Sequence, residues 1–168
     1  MERYALTGTP GTGKTTISAL LQKNLISLSD YYEDYSDGKA KNGEWIVIIE
    51  RLESAIKNLE WQLAEGNFSH RLSIIDRVIV LRCDPSVLVN RLKERNYSDK
   101  KIRENLEAEA IGIIYSEALN YYGTKNLIQV DTSEKSSEEC AHIIRDYINN
   151  NIKVEEQIDY SERILDWY

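Results

Sequence analysis

Short apolar runs alternate with helix-period stripes along this chain, and polar or glycine-bearing breaks separate them. Tyr4 to Leu6 reads as a strand ending at a glycine-rich turn, and Thr15 to Lys23 reads as the helix that follows. Leu25 to Leu28 offers a second short strand, closed by Ser29-Asp30. Tyr31 to Glu44 is acidic and aromatic, holds Gly38 and Gly43, and has little periodicity, which predicts a mobile insertion or loop. Further on, Ile49, Leu52, Ile56, Leu59 and Leu63 recur every three or four residues. That spacing predicts one long amphipathic helix with Gly66 at its C-terminal cap. Val78 to Leu81 is a β-branched run suited to a strand buried on both faces. Asp84-Pro85 supplies an N-cap and then proline at the first helical position, and a helix is predicted from there to about Arg95.

Beyond the polar break Asn96 to Asp99, residues Ile102, Leu106, Ala110 and Ile113/Ile114 mark the inner face of another helix. Leu127 to Val130 predicts a late strand and Glu138 to Ile148 a helix. The tail from Lys153 to Tyr168 carries Ile158, Ile164, Leu165 and Trp167 and predicts a last docked helix. Strands separated by helices imply a three-layer α/β fold around a parallel sheet. With no repeat or linker-like tract, residues 1–168 read as a single domain.

Composition narrows the partners. Twenty-eight acidic residues against 21 basic ones leave a net charge of −7. That argues against a large nucleic-acid footprint, which needs a basic surface. No apolar run approaches the length of a membrane span. Met1 to Thr7 runs straight into the first strand pattern without a signal-like apolar stretch, so a soluble, cytoplasmic protein is expected. Cys83 and Cys140 stand alone, with no Cys/His cluster to suggest zinc; a reducing compartment with two core or surface thiols is the simplest reading.

One motif is specific. Gly8-Thr9-Pro10-Gly11-Thr12-Gly13-Lys14-Thr15 satisfies G-x-x-x-x-G-K-[ST] at every position, after a strand and before a helix. Its glycines let the backbone approach phosphate, with Gly11, Thr12 and Gly13 turning N–H groups inward as an anion nest. The following helix adds the positive end of its dipole. Lys14 can reach the β- and γ-phosphates, the Thr15 hydroxyl can ligate Mg2+, and Thr16 is placed for the α-phosphate. A purine-nucleotide triphosphate site is the expectation, with Mg2+ as its companion ion.

A second constellation comprises Arg82, Arg91, Lys93 and Arg95, then Lys100, Lys101 and Arg103. Arg91 and Arg95 lie one turn apart on the same helix face, where guanidinium forks could stabilise a transferring phosphoryl group. A solvated charged helix, balanced by Glu94 and Glu104, is the bland alternative. Arg91 and Arg95 are taken as catalytic candidates beside Lys14.

The P-loop at Gly8 to Thr16, the Val80-Leu81-Arg82 strand end, and the run from Arg91 through Tyr97 and Lys101 to Asn105 and Glu109 occur together. In these residues the chain resembles the atypical adenylate kinase/ATPase family of the coilin-interacting nuclear ATPase protein (adenylate kinase isoenzyme six) and its archaeal relatives. The resemblance covers about residues 1–150. It implies a nucleoside-monophosphate-kinase-like fold, with a monophosphate-binding insertion at about 27–50 and a short lid at about 94–104 whose Arg95 touches ATP. It implies adenylate kinase and ATPase activities, with ATP and AMP as substrates. It also implies a role in small-ribosomal-subunit maturation through a ribosomal-protein partner, which an acidic chain suits by charge complementarity. The turn at Asp131-Thr132-Ser133 is where the resemblance puts the adenine.

Relatives in that family carry a buried strand ending in Asp-x-His, whose aspartate serves Mg2+. Here Glu65-Gly66-Asn67 could occupy that place. Alternatively Leu59 to Gly66 ends the preceding helix and the strand is absent, an alignment that the helical period favours. In the second case no acid carries over; Asp76 is a substitute candidate, and His70 is open between a catalytic group and a surface residue. Two functions follow: phosphoryl transfer from ATP to AMP with leakage to water, or a nucleotide-gated binding module for a ribosomal protein whose chemistry is weak or lost.

Overall fold

The computed structural model describes residues 1–21 and 24–167. Strands β1 (Tyr4–Gly8), β2 (Leu25–Ser27), β5 (Leu63–Glu65), β6 (Arg77–Arg82) and β7 (Leu127–Asp131) run parallel in the order β2-β5-β1-β6-β7. A separate antiparallel hairpin, β3 (Ser36–Lys39) with β4 (Trp45–Val47), lies outside that sheet. Helices α1 (Lys14–Leu21) and α6 (Ser137–Asn150) cover one face, over Tyr4, Leu6, Leu63, Ile79, Leu81, Ile128 and Val130. On the other face α2 (Ile49–Ile56) and α5 (Ile113–Tyr122) pack on Ala5, Ala64, Val78, Val80 and Leu127. Both faces of the sheet are therefore dry, which is why β6 shows no polar alternation in its sequence. The three-layer α/β architecture with a parallel central sheet is the one the sequence predicts.

Helix α3 (Pro85–Glu94) starts where Asp84 accepts from Ser86 N at 2.9 Å, with proline in the first turn. Leu88 and Leu92 of α3 meet Ile102 and Leu106 of α4 (Asp99–Ile111) in a third, smaller apolar cluster that includes Cys83. Both cysteines are buried free thiols.

Several elements differ from the sequence reading. The stripe read as one helix from Ile49 to Leu63 is two elements. Helix α2 ends at Ile56, Leu59 is 44% exposed, and Leu63 opens β5 between β2 and β1. Carbonyls at and just after the end of α2 are met by side chains, one from far away in sequence and one from close by. The Arg3 guanidinium donates to the Lys57 and Leu59 carbonyls at 2.9 and 3.0 Å, and Trp61 Nε1 donates to the Ile56 carbonyl at 2.8 Å. Gly66 follows a strand and caps no helix. Of the two alignments left open, the one that keeps the strand holds, against the helical period, and β5 fills the place between β2 and β1.

Likewise, the Tyr31 to Glu44 stretch is no featureless loop; it contains β3 and leads into β4. The helix expected through Ile113/Ile114 breaks at Gly112, which adopts φ +66° as the left-handed cap of α4. Ile113 is consequently 42% exposed rather than inward. The tail is an extended strap over residues 151–160 followed by a 3-10 segment, Ser161–Trp167, in place of a docked α-helix. Lys23 and Tyr168, included in the predicted first helix and tail, lie outside the described residues.

Candidate active site

The P-loop leaves the central strand β1 and enters α1 at Lys14, so its N–H groups and the helix N-terminus point to one spot at the C-terminal edge of the sheet. Gly11 sits at φ +89°, and a Cβ there would lie 2.9 Å from Leu88 and 3.1 Å from Leu92. The loop is thereby seated on α3, and no larger residue fits. Lys14, only 8% exposed, donates to the carbonyls of Gly8 at 2.6 Å and Thr9 at 3.0 Å. Burial pulls its ammonium pKa down to about 7; the nearby Glu65 carboxylate opposes this and the Arg95 charge adds to it.

Three cavities follow one another across the loop. The first, about 500 Å3, is lined by Gly11, Thr12, Gly13, Thr16, Arg91 and Arg95, with Thr132 and Lys135 behind them. A narrow second one, about 130 Å3, is lined by Lys14, Thr15, Glu65, Asn67, Arg95 and Tyr97. The third, about 450 Å3, is walled by Trp45 of β4, Phe68, His70, Arg71, Lys101 and Glu117. Arg95 and Gly11 border both the first and the second. Tyr32, Asn67 and Tyr97 border both the second and the third.

Glu65 ends β5 opposite Leu6 of β1 and accepts from the Ser27 hydroxyl at 2.7 Å. Its carboxylate therefore faces the same narrow cavity as Lys14 and Thr15. Asp76 is elsewhere, accepting from the Arg3 backbone N–H at 2.7 Å. Among the described residues no cluster of three or more His, Cys, Asp or Glu is built for a metal. Mg2+ needs none: it takes one or two protein oxygens and fills its shell with phosphate oxygens and water. The Thr15 hydroxyl and the Glu65 carboxylate fit that role.

The basic constellation separates into distinct parts. Arg95 is exposed between the first two cavities. Arg91 lines the first cavity but directs its guanidinium at the protein, donating to Thr132 Oγ1 at 3.1 Å, Thr132 O at 2.8 Å and Gly11 O at 3.3 Å. It ties the P-loop to the end of β7. Arg82 is buried and donates to Glu109 Oε1 at 2.8 Å, Gln129 Oε1 at 2.7 Å and Glu109 O at 3.0 Å. Lys101 pairs with Glu44 at 3.3 Å, bridging α4 to the β3–β4 hairpin beside the third cavity. Lys93 and Lys100 are exposed, and Arg103 pairs with Glu107 along α4.

His70 is 1% exposed, so the surface reading of this residue is wrong. Its ring sits between Thr7 Oγ1 at 2.9 Å and Glu117 at 2.7 Å, and Arg71 donates to the same carboxylate. Burial lowers the imidazolium pKa, with Glu117 opposing. Sequence reasoning missed Glu117 and Lys135, which no motif marks, while Thr132 lies in the turn where the resemblance puts the adenine. It underrated Glu65, whose signal was the apolar pair Leu63-Ala64 just before it.

Nucleotide-sized cavities around a P-loop on a parallel sheet define a P-loop phosphotransferase. Comparison with known proteins agrees. A family model described as an AAA domain matches residues 5–112. A protein of Thermococcus kodakarensis named "Putative adenylate kinase" is 40% identical over 159 residues, covering 89% of this chain and 86% of its own. A protein of the same name from Pyrococcus furiosus is 41% identical over 157 residues, covering 89% and 85%. Among solved structures, a shikimate kinase from Acinetobacter baumannii in complex with shikimate superposes with a TM-score of 0.61 at 16% identity, over 90% of this chain and 94% of that one. The last shows the fold alone. The chain belongs to the P-loop kinase family that the archaeal relatives represent. Among the described residues no helix is long and apolar enough to cross a membrane.

Proposed function

We propose that this protein transfers the γ-phosphoryl group of ATP to AMP, with water as a leaky acceptor that gives ATPase turnover. The observation that carries the reading is the row of three cavities, whose narrow middle one is lined by Lys14, Thr15, Glu65 and Arg95. The first cavity takes the donor, its base toward Thr132 and its phosphates on the P-loop N–H groups from Gly11 to Thr16. The third takes the monophosphate, whose base has Trp45 and Phe68 to stack on. In-line transfer then crosses the middle.

Phosphoryl transfer asks the protein for position and charge more than for covalent chemistry. Lys14 and Arg95 approach the transferring group from both sides. Thr15 and Glu65 would hold Mg2+, which would supply further neutralisation of the triphosphate. Asn67 and Tyr97 close the middle cavity against water. Residues 27–50 serve as the monophosphate-binding insertion and residues 94–104 as the lid. The gated-module alternative drew its support from a missing Mg2+ carboxylate, and β5 ending in Glu65 removes that support. A role in small-subunit maturation with a ribosomal protein rests on the resemblance and the net charge of −7.

Phosphorus NMR of Mg-ATP with and without AMP tests the reading. ADP growing from both nucleotides only when AMP is present establishes the kinase; inorganic phosphate alone replaces it with an ATPase. Arg95→Ala is expected to lower turnover on the order of a hundredfold or more while leaving ATP affinity within a few-fold. Equal losses in both would make Arg95 a binding residue only. Glu65→Gln is expected to abolish Mg2+-dependent turnover and to leave Mg2+-free ADP binding in place, as titration calorimetry would read.

A further inference from the structure

The C-terminal strap runs beside β7, where Lys153 Nζ donates to the Thr124 carbonyl, and then reaches the C-terminal end of the sheet. Glu156 accepts from the Asp131 backbone N–H at 2.9 Å and from Lys135 Nζ at 2.8 Å. Its own carbonyl accepts from Gln129 Nε2 at 3.4 Å. The Tyr160 hydroxyl donates to Asp131 Oδ2 and lies 3.4 Å from Ser133 Oγ. Ser133 Oγ in turn accepts from the Asp84 N–H at 2.7 Å. Arg163 donates from Nε and Nη2 to the two Asp84 carboxylate oxygens, at 3.0 and 2.9 Å, and Trp167 packs on the apolar cluster under α3 and α4.

Of those partners Lys135 lines the first cavity itself, and Asp131, Ser133 and Asp84 adjoin the segments that form its two walls. Thr132 and Lys135 line one wall, and they are carried by the loop that Glu156 and Tyr160 hold. Arg91 and Arg95 line the other, on and just after the helix whose N-cap is Asp84. β7 is an edge strand, and covering its edge is a plainer job for the strap. Edge cover accounts for the Lys153 bond to the Thr124 carbonyl and the Gln129 bond to the Glu156 carbonyl. It does not account for the charged contacts at Asp131, Lys135 and Asp84, which fall at or beyond strand ends.

We infer that the strap, through Glu156 and Tyr160, positions the 131–135 loop as the base-side wall of the donor site and so sets donor affinity and base preference. Glu156 and Tyr160 are positioning residues: they act through Asp131, Ser133 and Lys135. This inference rests on the first cavity's being the donor site. Charge-assisted hydrogen bonds in a partly buried network hold a loop far more firmly than neutral ones. Loosening them lets the wall sample wider positions, which costs the bound base its fit.

The test is calorimetric binding of ADP and GDP, Mg2+-free, to the full chain and to Glu156→Gln and Tyr160→Phe, with thermal unfolding of each. AMP binding to the third cavity serves as the internal reference. The expected result is an ADP Kd raised about tenfold in Glu156→Gln and less in Tyr160→Phe. The ADP/GDP preference should narrow in both, with AMP affinity unchanged. A merely structural strap would lower the melting temperature and leave the ADP/GDP ratio where it was, and that outcome overturns the inference. Tyr160→Phe keeps the ring in place, so it reads the question even if Glu156→Gln does not fold. Wild-type chain that binds neither ADP nor GDP sinks the donor-site reading itself, and the strap's role with it. Wild-type binding with unaltered variants sinks only the strap.

Discussion

Nucleotide binding is expected to weaken on the order of a hundredfold or more in Lys14→Ala. The side chain is the one buried cation in the P-loop, and in the free protein it donates to the carbonyls of Gly8 and Thr9. A triphosphate presents oxygens to that ammonium in place of neutral carbonyls, and charge-assisted bonds of this kind are worth about 1.5–3 kcal/mol each. Losing them should weaken ATP binding on the order of a hundredfold or more. The fold should persist, because the variant removes a buried charge along with its bonds. Circular dichroism checks the fold and titration calorimetry the affinity; an unchanged ATP Kd would overturn the P-loop reading.

A pH dependence follows from the same group. Lys14 titrates at about 7 in the free protein against an ordinary value of 10.5, because burial disfavours its charge. A bound polyphosphate restores the charged form, so binding near neutral pH takes up protons. ATP affinity should fall as pH rises above about 7. Binding enthalpies measured at one pH in HEPES and in Tris should differ by the proton uptake multiplied by the difference in buffer ionisation enthalpy. For folding the sign runs the other way. Between about 7 and 10.5 the unfolded chain holds the proton that the folded chain has lost, so this group makes stability rise with pH in that window.

Glu109→Leu should be the most destabilising single change in the interior. Arg82 and Glu109 are both about 97% buried, and they join β6, α4 and, through Gln129, β7. Removing Glu109 strands a guanidinium that cannot lose its proton. The expected cost is about 3–5 kcal/mol, a melting temperature lower by on the order of 10 °C for a domain this size. Arg82→Met should cost less in mildly acidic buffer. Glu109 Oε2 is buried without a partner and burial already pushes that carboxyl pKa up, so the lone acid can take a proton. Exchanging both residues for Met and Leu should recover much of the loss. Urea unfolding of the two single variants and the double decides this; additive losses would mean that the pair is not coupled.

This pair also explains why the residues that carry the family resemblance stand together. Val80 to Arg82 and Asn105 to Glu109 are far apart in sequence, yet Arg82 and Glu109 meet in one buried ion pair. Arg91, read from the sequence as a phosphate-facing group, performs a related task by clamping Gly11 to Thr132. Only Arg95 keeps an exposed guanidinium between the cavities.

Local chemistry was legible wherever the responsible atoms are neighbours in the chain. The P-loop, the Asp84-Pro85 start of α3 and the β-branched strand β6 are dictated within a few residues by backbone conformation, capping and burial. The alternation of strands and helices likewise determined the three-layer fold. What the sequence by itself left open depends on groups that meet only after folding. The end of helix α2 at Ile56 is met by Arg3, more than fifty positions away, and by Trp61 just beyond it, and a three-residue strand is too short for any period to reveal. The tertiary structure therefore decided that β5 exists, that Glu65 faces Lys14 across the narrow cavity, and that the tail reaches the 131–135 loop. Each rests on hydrogen bonds and charges between residues dozens of positions apart, and no local pattern in the chain encodes which of them will meet.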